Sequence, residues 1–467
     1  MDFLTNMIPA FGNIGFTLLA FIIALSVIVA IHEYGHYIVG RWSGIHADVF
    51  SIGFGKVLWS RVDKRGTVWQ IAALPFGGYV KFRGDANAAS VGGSAAPEEM
   101  PVDRPDDTRL SEEAKAYVAN LTSRNSMLGA PLWARSATVV AGPVFNFILS
   151  VIVFACLMMY SGRATTPLTV DSVIAMPAQI TMELEPGDQV IAIEDVAIGE
   201  DESSITTLSR SVPSQPTLTY EVRRDGAVIE VEGPQLASTR VGSITPRSAA
   251  DDAGLRIGDV VLSMDGTPVY TLYDMINVVE AVRDQEIALE VWRDGEILNE
   301  VLTPRLTAIP QEDGSIKDEP KLGIAPSMPF DPVTERVGPG AAFKRAVEQV
   351  WYIIRQSINS LGALISGAIN TCNLSGPVGI AETSGSMASQ GTFSFISFIA
   401  VLSTAVGLLN LFPIPVLDGG HLVFHAYEAV TGKMPSDGAL RIFMAIGLAM
   451  IGTLMVFAVG NDLLFCP

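Results

Sequence analysis

His32-Glu33-Tyr34-Gly35-His36 closes an apolar run, Ile14 to Ile31, that carries no charge. Residues four apart on a helix lie one turn above each other, so a helix through this stretch puts both imidazoles on one face. Two imidazoles at that spacing can grip a zinc ion, and the intervening carboxylate is placed to take a proton from water beside the metal. In a soluble metalloenzyme such a helix lines a wet cleft; here it continues out of a segment long enough to enter a bilayer. The chain is therefore a candidate for peptide hydrolysis inside a membrane. The bland alternative is a chance pentapeptide, but three ionisable groups beside a span are costly without a task.

With 49% hydrophobic residues among 467 and a mean hydropathy of +0.37, the chain is too apolar for an ordinary soluble enzyme. Four charge-free runs are long enough to span: Gly15 to Ile31, Ala137 to Tyr160, about Phe393 to Leu417, and Ile442 to Gly460. The first lacks the basic leader and short apolar core of a cleaved signal and runs straight into the histidine motif, so it reads as retained. A net charge of −19 argues against nucleic acid as a partner. Arg41, Lys56, Arg61, Lys64, Arg65, Lys81 and Arg83 cluster just after the first run. The positive-inside rule makes that side cytoplasmic and leaves the N-terminus outside. Cys156, Cys372 and Cys466 make no disulfide framework, and a single bridge between the last two stays open.

Beyond the first run, Val57-Leu58-Trp59 and Val68-Trp69-Gln70-Ile71 flank the turn signal Asp63-Lys64-Arg65-Gly66, which predicts a hairpin, with a further extended piece at Gly78 to Phe82. Gly84 to Pro131 is small, polar and acidic, and reads as a flexible insert with a short helix near Glu112 to Leu121. Between Pro167 and Leu306 the chain repeats itself weakly. Pro186-Gly187-Asp188-Gln189-Val190-Ile191 is echoed by Ile257-Gly258-Asp259-Val260-Val261-Leu262, and Val222-Arg223-Arg224-Asp225-Gly226 by Val291-Trp292-Arg293-Asp294-Gly295. The pattern resembles two PDZ domains in tandem, the first lacking the loop and short helix that Pro246 to Gly254 supply in the second. From Phe343 to Ile365 apolar residues fall at helical spacing beside Lys344, Arg345, Glu348 and Arg355, which suits an amphipathic helix at a membrane surface. Gln356 to Ala381 is uncharged but rich in Gly, Ser and Asn, and reads as interfacial rather than spanning.

The third run closes on Asn410-Leu411-Phe412-Pro413-Ile414-Pro415-Val416-Leu417-Asp418-Gly419-Gly420-His421. Polar groups beside two prolines are expensive in hydrocarbon unless they have partners or line a cavity. Asp418 is the natural third zinc ligand, a hard oxygen that leaves one position for water, although alone it reads as a turn residue before two glycines. Topology agrees: the first span runs inward to His36, the second returns, and the third runs inward to Asp418, provided that Gln356 to Ala381 stays interfacial. His421 and His425, one turn apart, suit capping or lining a cavity, with contact to Asp418 as a minor alternative. Pro413 and Pro415 break the helix.

With both motifs placed, the chain resembles the bacterial site-2 proteases of the RseP type, membrane zinc metalloproteases. The likeness extends to Phe50-Ser51-Ile52-Gly53-Phe54-Gly55, Pro75-Phe76-Gly77-Gly78-Tyr79-Val80, Ala141-Gly142-Pro143-Val144-Phe145-Asn146-Phe147 and Leu374-Ser375-Gly376-Pro377-Val378-Gly379-Ile380. It implies Zn2+ held by His32, His36 and Asp418, Glu33 as catalytic base, and substrate binding by Asn410 with Pro413 and Pro415, where Asn410 would otherwise only bond between helices. It also implies that the hairpin pairs with an extended substrate. The implied partners are the lipid bilayer and single-span membrane proteins, such as anti-sigma factors after a first cleavage and signal-peptide remnants.

The expected fold is an α-helical polytopic membrane protein of about four transmembrane helices, with a membrane-associated β-hairpin and an inserted tandem PDZ (α+β) periplasmic module. The expected divisions are a first span at 1–45, the hairpin region at 46–83, the acidic insert at 84–135 and a second span at 136–162. PDZ-like domains follow at 167–235 and 236–306, then an interfacial helix and connector at 340–381 and spans at 393–420 and 441–461. The expected location is the bacterial inner membrane, with the active site toward the cytoplasm. A membrane PDZ scaffold and a zinc transporter are the other classes; the intact Glu33 argues against the first, and a single metal motif with a proline-rich partner argues against the second.

Overall fold

The computed structural model describes residues 2–84, 123–198, 211–310, 316–367 and 375–465. The expected helix near 112–121 lies outside them. The chain divides into two compact units, one made of Met1–Ala155, Phe343–Ile358 and Leu374–Pro467, the other of Cys156–Ala342 and Asn359–Asn373.

The first unit is built on apolar helices. Helix α1 (Asp2–Trp42) carries the histidine motif near its C-terminal end, and α2 (Leu132–Ser161) holds Pro143. After α3 (Pro339–Ile365) come α4 (Pro377–Ser389), α5 (Thr392–Asn410), α6 (Asp418–Thr431) and α7 (Asp437–Gly460). Among the described residues four helical stretches are long and apolar enough to cross a membrane: Ile14–Trp42, Leu132–Ser161, Thr392–Asn410 and Gly438–Leu463. Neither α3 nor α4 is among them. Many large apolar side chains on these helices are exposed, as a lipid-facing surface requires, and α2 meets α5 partly through small and polar groups. Ser150 Oγ donates to the Ala400 carbonyl at 2.7 Å, and Ser403 Oγ to the Asn146 carbonyl at 3.0 Å, joining α2 to α5.

The third span departs from its expected bounds of 393–420. Helix α5 stops at Asn410, seven residues form a turn, and Asp418 opens a new helix. Pro413 and Pro415 lack the N–H groups that would continue the ladder. Helix α4 was not anticipated in its glycine- and serine-rich sequence; the Asp462 carboxylate, far along the chain, accepts from the N–H groups of Gly376 and Gly379 at 3.0 Å each and so caps its start.

The hairpin consists of β1 (Ala47–Val62) and β2 (Val68–Phe82), each longer than its sequence signal. The inner part of β1 is flanked twice: Ser51 lies opposite Tyr79 and opposite Gln70, and Phe50 opposite Val80 and Trp69. The expected separate extended piece at Gly78 to Phe82 is thus the end of β2 folded back onto β1. The bends fall at Gly53 and Gly55, with φ of +90° and +85°; a Cβ on Gly53 would lie 2.8 Å from the Leu74 carbonyl oxygen. The sheet is fastened to α1 by Tyr37, whose ring meets Phe50 and Trp69 at 5.6 and 5.1 Å. Asp63 at the hairpin tip accepts from the N–H groups of Arg65 and Thr67 at 2.8 and 3.0 Å and from the Tyr37 hydroxyl at 3.2 Å. Burial disfavours its charge, but these donors hold the carboxyl down to about 2.

The second unit holds two sheets of the same strand order: 196–197, 189–193, 218–224, 227–233, and 267–268, 260–264, 287–293, 296–302. The sequence echo has a physical cause. In the first sheet Arg224 grips Asp188 with two bonds of 2.8 and 2.7 Å, and in the second Arg293 grips Asp259 with two bonds of 2.8 and 2.7 Å. Each aspartate is 1% exposed, so the planar guanidinium is what makes its burial tolerable. Both cores also draw on residues beyond 306. Ile324–Pro326 pairs with Val241–Ile244 and brings Leu322 into the second core; Phe330–Pro332 pairs with Val170–Val173 and brings Phe330 into the first. The second module is therefore nested inside the first.

Candidate metal centre

Three side chains converge where α1, α2 and α6 meet. His32 Nε2 and His36 Nε2 are 3.1 Å apart, and Asp418 Oδ2 lies 3.2 Å from the first and 3.4 Å from the second. A tetrahedral zinc ion with bonds of about 2.0–2.1 Å needs ligand atoms about 3.3 Å apart. Asp418 Oδ2 is buried with no hydrogen-bond partner among the described residues, a state that a metal ion relieves. The residues fit the ion on both counts.

Local sequence explains the convergence. His32 and His36 are one helical turn apart on α1. Gly142 on α2 lets them close: a Cβ there would lie 2.3 Å from His36 Nε2 and 2.8 Å from His32 Cε1. A Cβ on Gly35 would likewise lie 2.6 Å from the Ala141 carbonyl oxygen, so the two glycines set how near α1 and α2 approach. Asp418 is delivered by its own surroundings. Cβ atoms on Gly419 and Gly420 would lie 2.0 Å from the Phe412 carbonyl oxygen and 2.5 Å from that of Ile414, so only glycine lets α6 start against the preceding turn. Val416, two residues earlier, is held at φ +83°, a conformation a β-branched residue adopts only when its neighbours force it.

Glu33, between the two histidines in sequence, reaches β2. Its Cγ would lie 3.4 Å from a Cβ on Gly78, and the Val80 N–H donates to its carboxylate. Asn410 is not among the three: its Nδ2 donates to the Val406 carbonyl of its own helix at 3.0 Å. Pro413 is exposed, whereas Pro415 is buried where a Cβ on Gly447 would lie 2.2 Å from its ring, so it packs α7. His421 and His425 also stand outside the group. His425 Nδ1 lies 3.1 Å from Ser136 Oγ, and Arg135 pairs with Glu428; both contacts tie α2 to α6. Burial and the Arg135 guanidinium hold His425 down to about 4, so it is neutral at physiological pH.

Sequence reasoning gave no role to two residues of α2. The Thr138 carbonyl lies 2.8 Å from His36 Nδ1, and Asn146 Nδ2 lies 3.2 Å from His32 Nδ1. The signal available was Asn146 itself, an amide in the middle of a charge-free span.

A paired-imidazole and carboxylate centre on helices of this apolarity defines a membrane metalloprotease. The sequence matches peptidase family M50 over residues 20–454, and the chain belongs to that family. It is 33% identical over 452 residues, 97% of each chain, to a Rhizobium meliloti protein described as "Putative zinc metalloprotease". It is 30% identical over 475 residues, 95% of this chain and 98% of the other, to the regulator of sigma-E protease RseP of Escherichia coli. Among solved structures a PDZ domain from Listeria monocytogenes covers 19% of the chain at 16% identity with a TM-score of 0.16, too low to define a fold.

Proposed function

We infer that the chain is an intramembrane endopeptidase that cuts the transmembrane segments of single-span proteins already trimmed by another protease, anti-sigma factors and signal-peptide remnants being the substrate class. The observation that carries this is the meeting of His32, His36 and Asp418 atoms within 3.1–3.4 Å, the histidines on a helix fit for a bilayer and the aspartate just beyond another.

His32, His36 and Asp418 hold the zinc, which when bound supplies a Lewis acid that makes water a nucleophile and polarises a carbonyl. Glu33 takes the proton of the attacking water and returns it to the leaving nitrogen. A substrate helix bonds its own carbonyls and must unwind before it can be cut, and each backbone group left bare in lipid costs several kcal/mol, on the order of 4–8. The segment Gly78 to Phe82, whose Val80 reaches Glu33, offers a strand on which the unwound substrate pairs, a β-addition mode. Asn410 holds the substrate backbone beside it. Asp418→Ala is expected to empty the zinc site and abolish activity, whereas Asn410→Ala is expected to keep its zinc and lose cleavage of helical substrates. Metal content and turnover of the purified variants decide this; an emptied site in Asn410→Ala would make that residue structural.

The location we propose is the bacterial inner membrane, with the metal centre toward the cytoplasm, where the basic residues after α1 stay. The second unit, read as a tandem of PDZ domains, then faces the periplasm and acts as a size filter that excludes substrates with bulky periplasmic domains. Its ends are paired, Arg163 with Glu335 and Ala164 with Thr334, so deleting 163–336 requires only a short linker. That deletion is expected to leave zinc in place and to permit cleavage of untrimmed substrate in cells. If trimmed substrate is cut and untrimmed substrate still refused, the filter lies elsewhere.

A further inference from the structure

We propose that Asn146 is a positioning residue for the metal centre: its amide oxygen accepts the Nδ1–H of His32 and thereby leaves Nε2 bare for the metal. This rests on the zinc-centre reading above and extends it to the other side of the imidazole.

An imidazole that ligates through Nε2 while neutral carries its proton on Nδ1 and needs an acceptor there. His36 has one in the Thr138 carbonyl, 2.8 Å from its Nδ1. The group that faces His32 Nδ1 is the Asn146 amide, at 3.2 Å. Asn146 is fully buried, and its Oδ1 has no partner among the described residues while Nδ2 faces the ring. A half-turn of the amide, which leaves its shape unchanged, brings Oδ1 to His32 as an acceptor and moves Nδ2 to the place Oδ1 now holds. Its backbone is fixed meanwhile, because the Asn146 carbonyl accepts from Ser403 Oγ of α5 at 3.0 Å. One helix therefore orients both imidazoles, through a main-chain carbonyl for one and a side-chain amide two turns later for the other. Gly142, between them, makes the room.

The test measures zinc affinity, not turnover, on the purified full-length protein by competition with a chromophoric chelator. Asn146→Leu keeps the side chain's size and removes the acceptor; Asn146→Asp keeps the acceptor. Asn146→Leu is expected to weaken zinc binding by about 10- to 100-fold, and Asn146→Asp to stay within about threefold of the parent. A merely structural role predicts the reverse order, since a buried carboxylate disturbs an apolar slot more than leucine does. Thermal unfolding of the metal-free forms shows whether each variant is folded. Equal affinity in Asn146→Leu and the parent overturns the role of Asn146 alone, as does an equal loss in both variants. A parent chain that binds no zinc overturns the metal centre and this inference together.

Discussion

Glu33→Gln is expected to retain zinc at full occupancy while peptide cleavage falls by about 10³-fold. The substitution changes neither proposed ligand nor volume: the three atoms proposed to hold the metal belong to His32, His36 and Asp418, and an amide fills the place of the carboxylate beside Gly78. What disappears is the group that can take a proton from water. The Val80 N–H, which donates to the carboxylate, can donate equally to the amide oxygen, so β2 keeps its place. Metal analysis and turnover on one preparation check both halves. Normal turnover would remove Glu33 from the chemistry; lost zinc would make it part of the site's framework.

Gly142→Val is expected to abolish zinc binding as well as activity. Even a single Cβ at this position meets His36 Nε2 at 2.3 Å and its Cε1 at 2.5 Å. Neither atom can yield cheaply, because the ring is held by the Thr138 carbonyl on one side and must reach the metal on the other. The alternative, a separation of α1 from α2, is opposed by Gly35 packed on Ala141 and Phe145. Overpacking of this kind costs about 1–3 kcal/mol in stability, but its larger effect is to push a ligand atom out of a geometry that tolerates only small errors. Gly362 on α3 has nothing among the described residues within 4 Å of its Cβ position, so Gly362→Ala serves as the control and should leave zinc and activity alone. Zinc retained by Gly142→Val would mean that the two helices pack differently from this account.

The parts of the molecule set by local pattern were legible in the sequence. The turn-apart histidines, the apolar runs and the prolines before Asp418 each impose their consequence within a few residues, and the paired Gly-Asp and Arg-Asp-Gly echoes announced two alike modules. What stayed hidden depends on partners far along the chain. Ile324–Pro326 and Phe330–Pro332 are three-residue strands, too short for any periodicity, and only their pairing with Val241–Ile244 and Val170–Val173 shows that one module is nested in the other. The start of α4 could not be read from Leu374 to Ile380, because its cap, Asp462, arrives from the end of the chain. The double pairing of β1 follows from bends at Gly53 and Gly55, glycines that in the sequence looked only like part of a family motif. Asn146 was visible as a polar residue in a span, but its task needed the position of His32, 114 residues away.

The most direct measurement places the purified protein in liposomes with a single-span peptide and locates the cut by mass spectrometry of the products. The account predicts cleavage inside the apolar segment of the peptide, lost on removal of zinc by a chelator and restored when zinc is returned. Cleavage confined to the soluble flanks, or undiminished after zinc removal, would contradict it.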